Sequence, residues 1–509
     1  DARVVVDELH LNGMAGNIWR LCDGTRTVEK IAREIRSSCT GSPPPYETVL
    51  GDVVRFLESA HTKHWITWPE ARSTDVLLVV PPAPSGYSTE AVKTPEYSAP
   101  PLGLCYIAAV LREGGFRPAI LDLHQAGGHP EDVISACRRY NPAIVGITAC
   151  TPSFPNAERV ARFVKAWNKD CVTVIGGPHA VGAPEECVET GVFDFVCLGE
   201  GEHAMLDLTT ALLKTGGAPK TIPGFAFKSS VATLKRSARR PRLARLDSLP
   251  LPARDLIDLD NYAKKGALIS SRGCPIGCVF CACTSIVGRT YRVHSVGRVL
   301  DEMEQLVGQN KTRHFDFHDD TFNLYPQRVF EFCRAMADRR MDVEWGCFCR
   351  AAQMTPPMAK AMVKAGCRVI QFGVESGNAA VLRSLNKKTT TDQIEQAVRA
   401  AAKAGVEQIV CGFIIGHASD TPDSIRDTIA FGLRLRDLGA TRLTLSLLTP
   451  YPGTQVYNRR QELGIRLLTK DWEQYTFSRV VMETANLRTE ELRRLYCEGV
   501  LCFMGATRW

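Results

Sequence analysis

Three thiols come first. The segment Arg272-Gly273-Cys274-Pro275-Ile276-Gly277-Cys278-Val279-Phe280-Cys281 follows directly on an apolar run and spaces its cysteines C-x3-C-x2-C. A loop at a strand end can wrap three thiolates around one face of a [4Fe–4S] cube, leaving the fourth iron open to an exogenous chelating ligand. A zinc ribbon needs two CxxC knuckles, and no second pair is placed to complete one. Three buried structural cysteines in a Gly/Pro turn are the bland alternative. Spacing, glycines and the aromatic before the last cysteine argue against it. Cys283 follows too closely to join the trio and reads as packing or loop chemistry.

Other polar groups stand where later apolar runs end. Asp319 and Asp320 lie in Phe317-His318-Asp319-Asp320-Thr321-Phe322, and Glu375 and Ser376 in Gly373-Val374-Glu375-Ser376-Gly377. Taken singly, an Asp-Asp pair is more often a helix cap, and Glu375 could simply pair with a lysine. Their order downstream of the cysteines strengthens both. Upstream, small and hydroxyl residues recur: Leu102-Gly103-Leu104 entering a helix, then Thr148 to Thr151, Gly176-Gly177-Pro178-His179 and Gly199-Glu200-Gly201-Glu202 after successive strands. They would make a shallow polar rim for a large flat ligand. No GxGxxG follows the first strand, which weakens a nucleotide reading.

Periodicity supplies the elements that must hold these groups. Residues 1–70 read as a small helical unit with a β edge: a strand over Arg3–Leu9, a helix capped by Asn12, helices over 28–35 and 47–60, and a closing strand over His64–Trp68. Residues 71–227 alternate β and α, with continuous apolar strands at 76–80, 119–121, 144–147 and 172–175, as in a doubly wound parallel sheet covered on both faces. Residues 228–250 read as a basic linker with a β-rich edge. Strands at 268–270, 314–317, 343–348, 369–372, 408–413 and 442–447 with helices between them suggest a partial (β/α)6 barrel over 251–455. A helical tail follows over 456–509. The fold class is α/β multidomain.

Composition bounds the rest. The chain has 509 residues, 45% hydrophobic and 23% charged, which excludes a disordered or fibrous protein. No stretch of about 18 apolar residues predicts a membrane span, and the first residues lack the long apolar core of a secretory signal. A net charge of +7, without a basic block, gives no case for nucleic acid. Nineteen cysteines in so large a chain fit reduced thiols in a cytoplasm better than a disulfide scaffold.

The cysteine segment resembles the radical S-adenosylmethionine (SAM) enzymes, whose motif matches Cys274, Cys278, Phe280 and Cys281. The resemblance implies that SAM chelates the open iron and is cleaved to a 5′-deoxyadenosyl radical. It also implies SAM contacts at Phe280, Asp319, Asp320, Arg350, Gly373, Glu375, Ser376 and Ile415. Thr449-Pro450-Tyr451-Pro452-Gly453-Thr454 resembles the family's barrel-closing loop, whereas His417-Ala418 departs from its usual Pro-Gly. The doubly wound region is similar to the cobalamin-binding domain of the B12-dependent class. That similarity implies corrin contacts at Tyr97, Leu102, Gly103, Leu104, Thr148, Thr151, Gly176, Gly177, Pro178, His179, Gly199, Glu200, Gly201 and Glu202. Asp122-Leu123-His124-Gln125-Ala126-Gly127 spells the DxHxxG of other B12 enzymes but follows the second strand instead of the first, so His124 reads as a loop or rim residue rather than as a cobalt ligand. The N-terminal unit, through Leu11 to Gly24 and Thr27 to Ala32, resembles the PqqD-like peptide-recognition fold.

These resemblances imply a cobalamin-dependent radical SAM C-methyltransferase acting on an unactivated carbon of a ribosomally made precursor peptide with a leader. Flavodoxin or ferredoxin would donate electrons. Tyr291, Arg350 and Tyr451 are candidates for positioning the substrate carbon. A cyclase of the same class, methylation of a small molecule, and a non-catalytic peptide-binding scaffold are the alternatives.

Overall fold

The computed structural model describes residues 18, 28–39, 44–62, 73–84, 98–216, 221–228 and 234–505. The expected first strand, the Asn12-capped helix apart from Ile18, the strand over 64–68 and Tyr97 lie outside the described residues. Helices Val28–Ser37 and Tyr46–Thr62 remain from the N-terminal unit. Their apolar faces, Ile31 and Ile35 against Val49, Val53 and Leu57, share a core with the sheet that follows. Arg33 is paired with Asp132 at 2.8 Å across that junction.

Strands β1 (Val76–Val80), β2 (Pro118–Asp122), β3 (Ile144–Thr148), β4 (Val172–Gly176) and β5 (Phe195–Cys197) run parallel. Two antiparallel strands, β6 (Phe225–Lys228) and β7 (Leu234–Arg236), extend the sheet, whose order is β2-β1-β3-β4-β5-β6-β7. The residues expected to form a linker therefore include the last strand of this sheet. Both faces are covered. Leu78, Ile144 and Val174 pack on helices Leu102–Glu113 and Glu202–Thr210. Leu77, Val79, Val145 and Ile147 pack on Val133–Tyr140 and Phe154–Trp167. The order reverses between β2 and β3 around β1, which opens a crevice beyond the strands' C-terminal ends.

The second sheet is wholly parallel: β8 (Gly266–Leu268), β11 (His314–Phe317), β12 (Glu344–Cys349), β13 (Cys367–Glu375), β14 (Gln408–Ile415) and β15 (Arg442–Leu447), side by side in that order. Between β8 and β11 lies a short antiparallel pair, β9 (Ser271–Arg272) with β10 (Arg292–Val293). Four of the barrel helices start on hydroxyl caps, where Ser295, Thr355, Thr390 and Thr421 accept first-turn amides. Each such cap stabilises by about 1 kcal/mol. Helix Thr489–Met504 packs on β15 and on helix Pro422–Asp437, with Gly499 close against Leu445 and Ile429. The C-terminal region also holds a β pair, β16 (Arg466–Leu467) with β17 (Met482–Glu483), so it is less helical than its sequence suggests. Trp472 ties it to the first sheet's domain, donating to Glu186 at 2.6 Å. Among the described residues no helix is long and apolar enough to cross a membrane.

Candidate active site

A cavity of about 350 Å³ opens at the C-terminal mouth of the barrel. All three motif thiols line it, with Phe280, Asp320, Arg350, Gly373, Glu375 and Lys387. The cysteine loop is fastened along its length. Cys274 N donates to Gly288 O at 3.2 Å, and Gly273 N donates to Asp320 Oδ2 at 3.0 Å. The Asn386 amide donates to the Ile276 and Gly277 carbonyls at 3.0 and 3.1 Å. Gly273 has φ 92°, and a Cβ there would sit 2.4 Å from Thr290 O, so the turn into the loop requires glycine. Cys274, Cys278 and Cys281 are half-buried free thiols. Among the described residues no three thiol, imidazole or carboxylate groups converge on one ion. The trio instead lines a wall, which suits an iron cube, where each thiolate meets a different corner. Burial pushes the Cys278 thiol up to about 11, while a hydrogen bond from Cys283 draws the Cys281 thiol below its usual value.

The two aspartates after β11 have separate tasks. Asp320 lines the cavity. Asp319, buried, accepts the Ser270 and Ser271 amides at 2.6 and 3.0 Å and their hydroxyls at 2.6 and 2.7 Å. Its carboxylate is spent fastening the β8 end to the β11 end, not facing a ligand. Ser376 likewise turns away and bonds Thr428 Oγ1 at 2.9 Å. Ile415, fully buried, lies outside the cavity lining. Glu375 does face the cavity, paired with Lys387 at 2.5 Å. Its φ of 68° sits at an irregularity in the β13–β14 ladder, so strained backbone borders the site. Gly373 makes room for that pair, since a Cβ would meet Glu375 Oε1 at 2.5 Å. Arg350 is held by the Lys387 and Lys388 carbonyls at 3.1 and 2.9 Å. Of the candidate positioning residues, only Arg350 lines the cavity. Tyr291 and Tyr451 spend their hydroxyls on the Thr321 and Tyr475 carbonyls, each at 3.0 Å. Lys387, Gln371 and Phe348 were not anticipated.

A second cavity, about 310 Å³, lies between the first sheet's strand ends and the barrel. Its floor is Gly103, Leu104, Thr148, Gly176, Gly177 and Gly199 to Glu202; its roof is Ile269, Ser271, Arg272, Ile286, Val287, His318 and Asp320. Gly177, at φ 92°, lies so close to Thr148 and Ala149 that a Cβ would come within 2.8 Å of each. Such a floor lets a large ring lie on backbone. Leu102, Thr151, Pro178 and His179 are not in the lining. His179 is buried, stacked on Phe154 at 4.1 Å with Nδ1 3.3 Å from Thr151 Oγ1, and is a core histidine. Exposed His124 is also outside the lining.

Glu200 and Glu202 act across the gap. Arg272, next to the cysteine loop, pairs with Glu200 at 3.2 Å and Glu202 at 2.7 Å; Arg292 pairs with Glu200 at 2.9 Å. Burial alone would raise the Glu200 carboxyl, but Arg292, the Leu243 amide and Arg272 hold it below its usual value. This buried network joins the floor to the cysteine loop. Asp320 lines both cavities, so they adjoin there.

Three family models match the chain: the radical SAM superfamily over residues 268–432, the B12 binding domain over 90–209, and coenzyme PQQ synthesis protein D over 7–66. An uncharacterized methyltransferase of Pyrococcus horikoshii is 32% identical over 433 residues, 84% of this chain and 92% of its own. An anaerobic magnesium-protoporphyrin IX monomethyl ester cyclase of Rubrivivax gelatinosus is 28% identical over 405 residues, 77% of this chain and 71% of its own. The solved radical S-adenosylmethionine methyltransferase TsrM from Kitasatospora setae, with cobalamin and a [4Fe–4S] cluster bound, aligns at TM-score 0.65 and 19% identity. That alignment covers 83% of this chain and 81% of that one.

Proposed function

This chain belongs to the cobalamin-dependent radical SAM methyltransferases, and from that premise we propose that it methylates an unactivated carbon of a ribosomally made precursor peptide. Its cofactors are a [4Fe–4S] cluster, SAM and cobalamin. When bound, the cluster and SAM supply a radical that abstracts hydrogen, and cobalamin supplies the methyl group.

The chain's own residues set the geometry. Cys274, Cys278 and Cys281 hold the cluster. Asp320, Arg350 and the Glu375–Lys387 pair offer SAM's amine and carboxylate opposite charges within one wall. Phe280 gives that wall an apolar face. The glycine floor from Gly103 to Gly201 admits the corrin, and the Arg272–Glu202 bond keeps floor and cluster loop in register.

The observation that carries the peptide reading is the PqqD match over residues 7–66, ahead of both cofactor domains. Such a unit can add a leader peptide as a strand. Flavodoxin or ferredoxin is the electron donor in this reading. Anaerobic incubation with deuterated-methyl SAM and candidate precursor peptides, read by mass spectrometry, tests it. A gain of about 17 Da on a peptide, one CD3 replacing one hydrogen, is expected. A hydrogen-only mass change would instead favour ring formation, the second reading, which the similarity to a cyclase supports.

A further inference from the structure

We propose that His318 faces the corrin from the barrel side and holds the substrate there by a hydrogen bond to a polar group, an amide on the peptide reading above.

The roof of the 310 Å³ cavity has three titratable side chains, and two are engaged. Arg272 is tied down by Glu200 and Glu202, and Asp320 accepts the Gly273 amide. His318 is the third, exposed, lining the cavity with its backbone amide committed to Leu268 O at 2.8 Å. Along β11, Phe315 and Phe317 turn to the helices, which leaves Asp316 and His318 on the barrel's inner side. Below His318, Asp316 is neutralised by Lys264 at 2.8 Å. Two residues on, Asp320 borders the cluster cavity as well. A ligand lying on the glycine floor would therefore present its other side to His318, in the gap where substrate must meet both cofactors. Desolvation by the surrounding cleft walls, then the Lys264 ammonium, lower the imidazole's pKa against the opposing pull of Asp316 and Asp319. A neutral ring offers one donor and one acceptor, a match for an uncharged amide.

Two measurements test this. Carbethoxylation with diethyl pyrocarbonate, mapped by mass spectrometry, should modify His318 in cofactor-free protein and be lost once hydroxocobalamin is loaded. Buried His179, His294 and His417 serve as references. Undiminished modification would overturn the placement. In holoenzyme with matched iron and cobalamin content, His318→Phe should lower methylated peptide formed per 5′-deoxyadenosine about tenfold, the equivalent of one lost hydrogen bond. His318→Gln should recover part of that ratio. An unchanged ratio in H318F would overturn the proposal. So would nitrogen splitting of the cob(II)alamin EPR signal that vanishes in H318F, since His318 would then be a cobalt ligand. Protection by cobalamin in an enzyme that methylates no peptide counts against the peptide reading alone; an unprotected His318 counts against this inference alone.

Discussion

The two cavities are built from opposite materials. The barrel mouth is a site of side chains: three thiols, Asp320, Arg350, Glu375 and Lys387. The floor of the second cavity is largely a site of backbone, where Gly103, Gly176, Gly177, Gly199 and Gly201 withhold side chains, and its two carboxylates reach across to arginines. A small charged ligand needs charges to answer it. A broad ring needs flat ground and a partner domain held at a fixed height.

If that contrast is right, damage should differ in kind. Replacing Cys278 by Ala should abolish SAM cleavage and the cluster's absorbance; cleavage by C278A protein verified to lack the cluster would refute the thiol assignment. Next in size is Glu202→Ala. It leaves Arg272 buried and half-paired, at a cost of about 3 kcal/mol, measurable by denaturant unfolding. Because Arg272 precedes the cysteine loop, cluster incorporation should also fall. Unchanged stability would mean the network is ornamental. Gly177→Ala should cost about 2 kcal/mol through strained φ and contact with Thr148. It should weaken cobalamin retention while sparing cluster content, and equal loss of both would blur the distinction between the two sites. The smallest effect is one of pH. Glu200 is held below its ordinary 4.5 in the fold. Its contribution is therefore complete above that value and disappears as pH falls through the lower folded one. Thermal unfolding between pH 6 and 3 should show this acid loss (about one carboxylate's worth) and E200Q should flatten it.

The barrel and its cysteine loop were readable because they rest on local signals: apolar strands ending in motif residues. Cross-chain geometry was not. Nothing in the run of residues tells whether Asp319 meets a ligand or the Ser270–Ser271 turn, and the structure gives it four donors from that turn. The bland reading of Glu375, a lysine partner, is what the structure shows, yet the pair still faces the cavity. Glu200 and Glu202 read as rim polarity because their arginines lie some 70 residues or more downstream. Phe348 could have been found from strand alternation. Trp345 and Cys347 face the helices, which turns Phe348 inward. Lys387 carried no such signal, since a loop brings it to Glu375.

Both cavities border Asp320, so the two metal centres should sense each other. In anaerobic, fully loaded protein, reducing the cluster with dithionite should speed the spin relaxation of cob(II)alamin seen by pulsed EPR. C278A, loaded with cobalamin alone, should relax slowly under the same treatment. Relaxation of cob(II)alamin that ignores the cluster's presence would place the two cofactors apart and contradict the arrangement described.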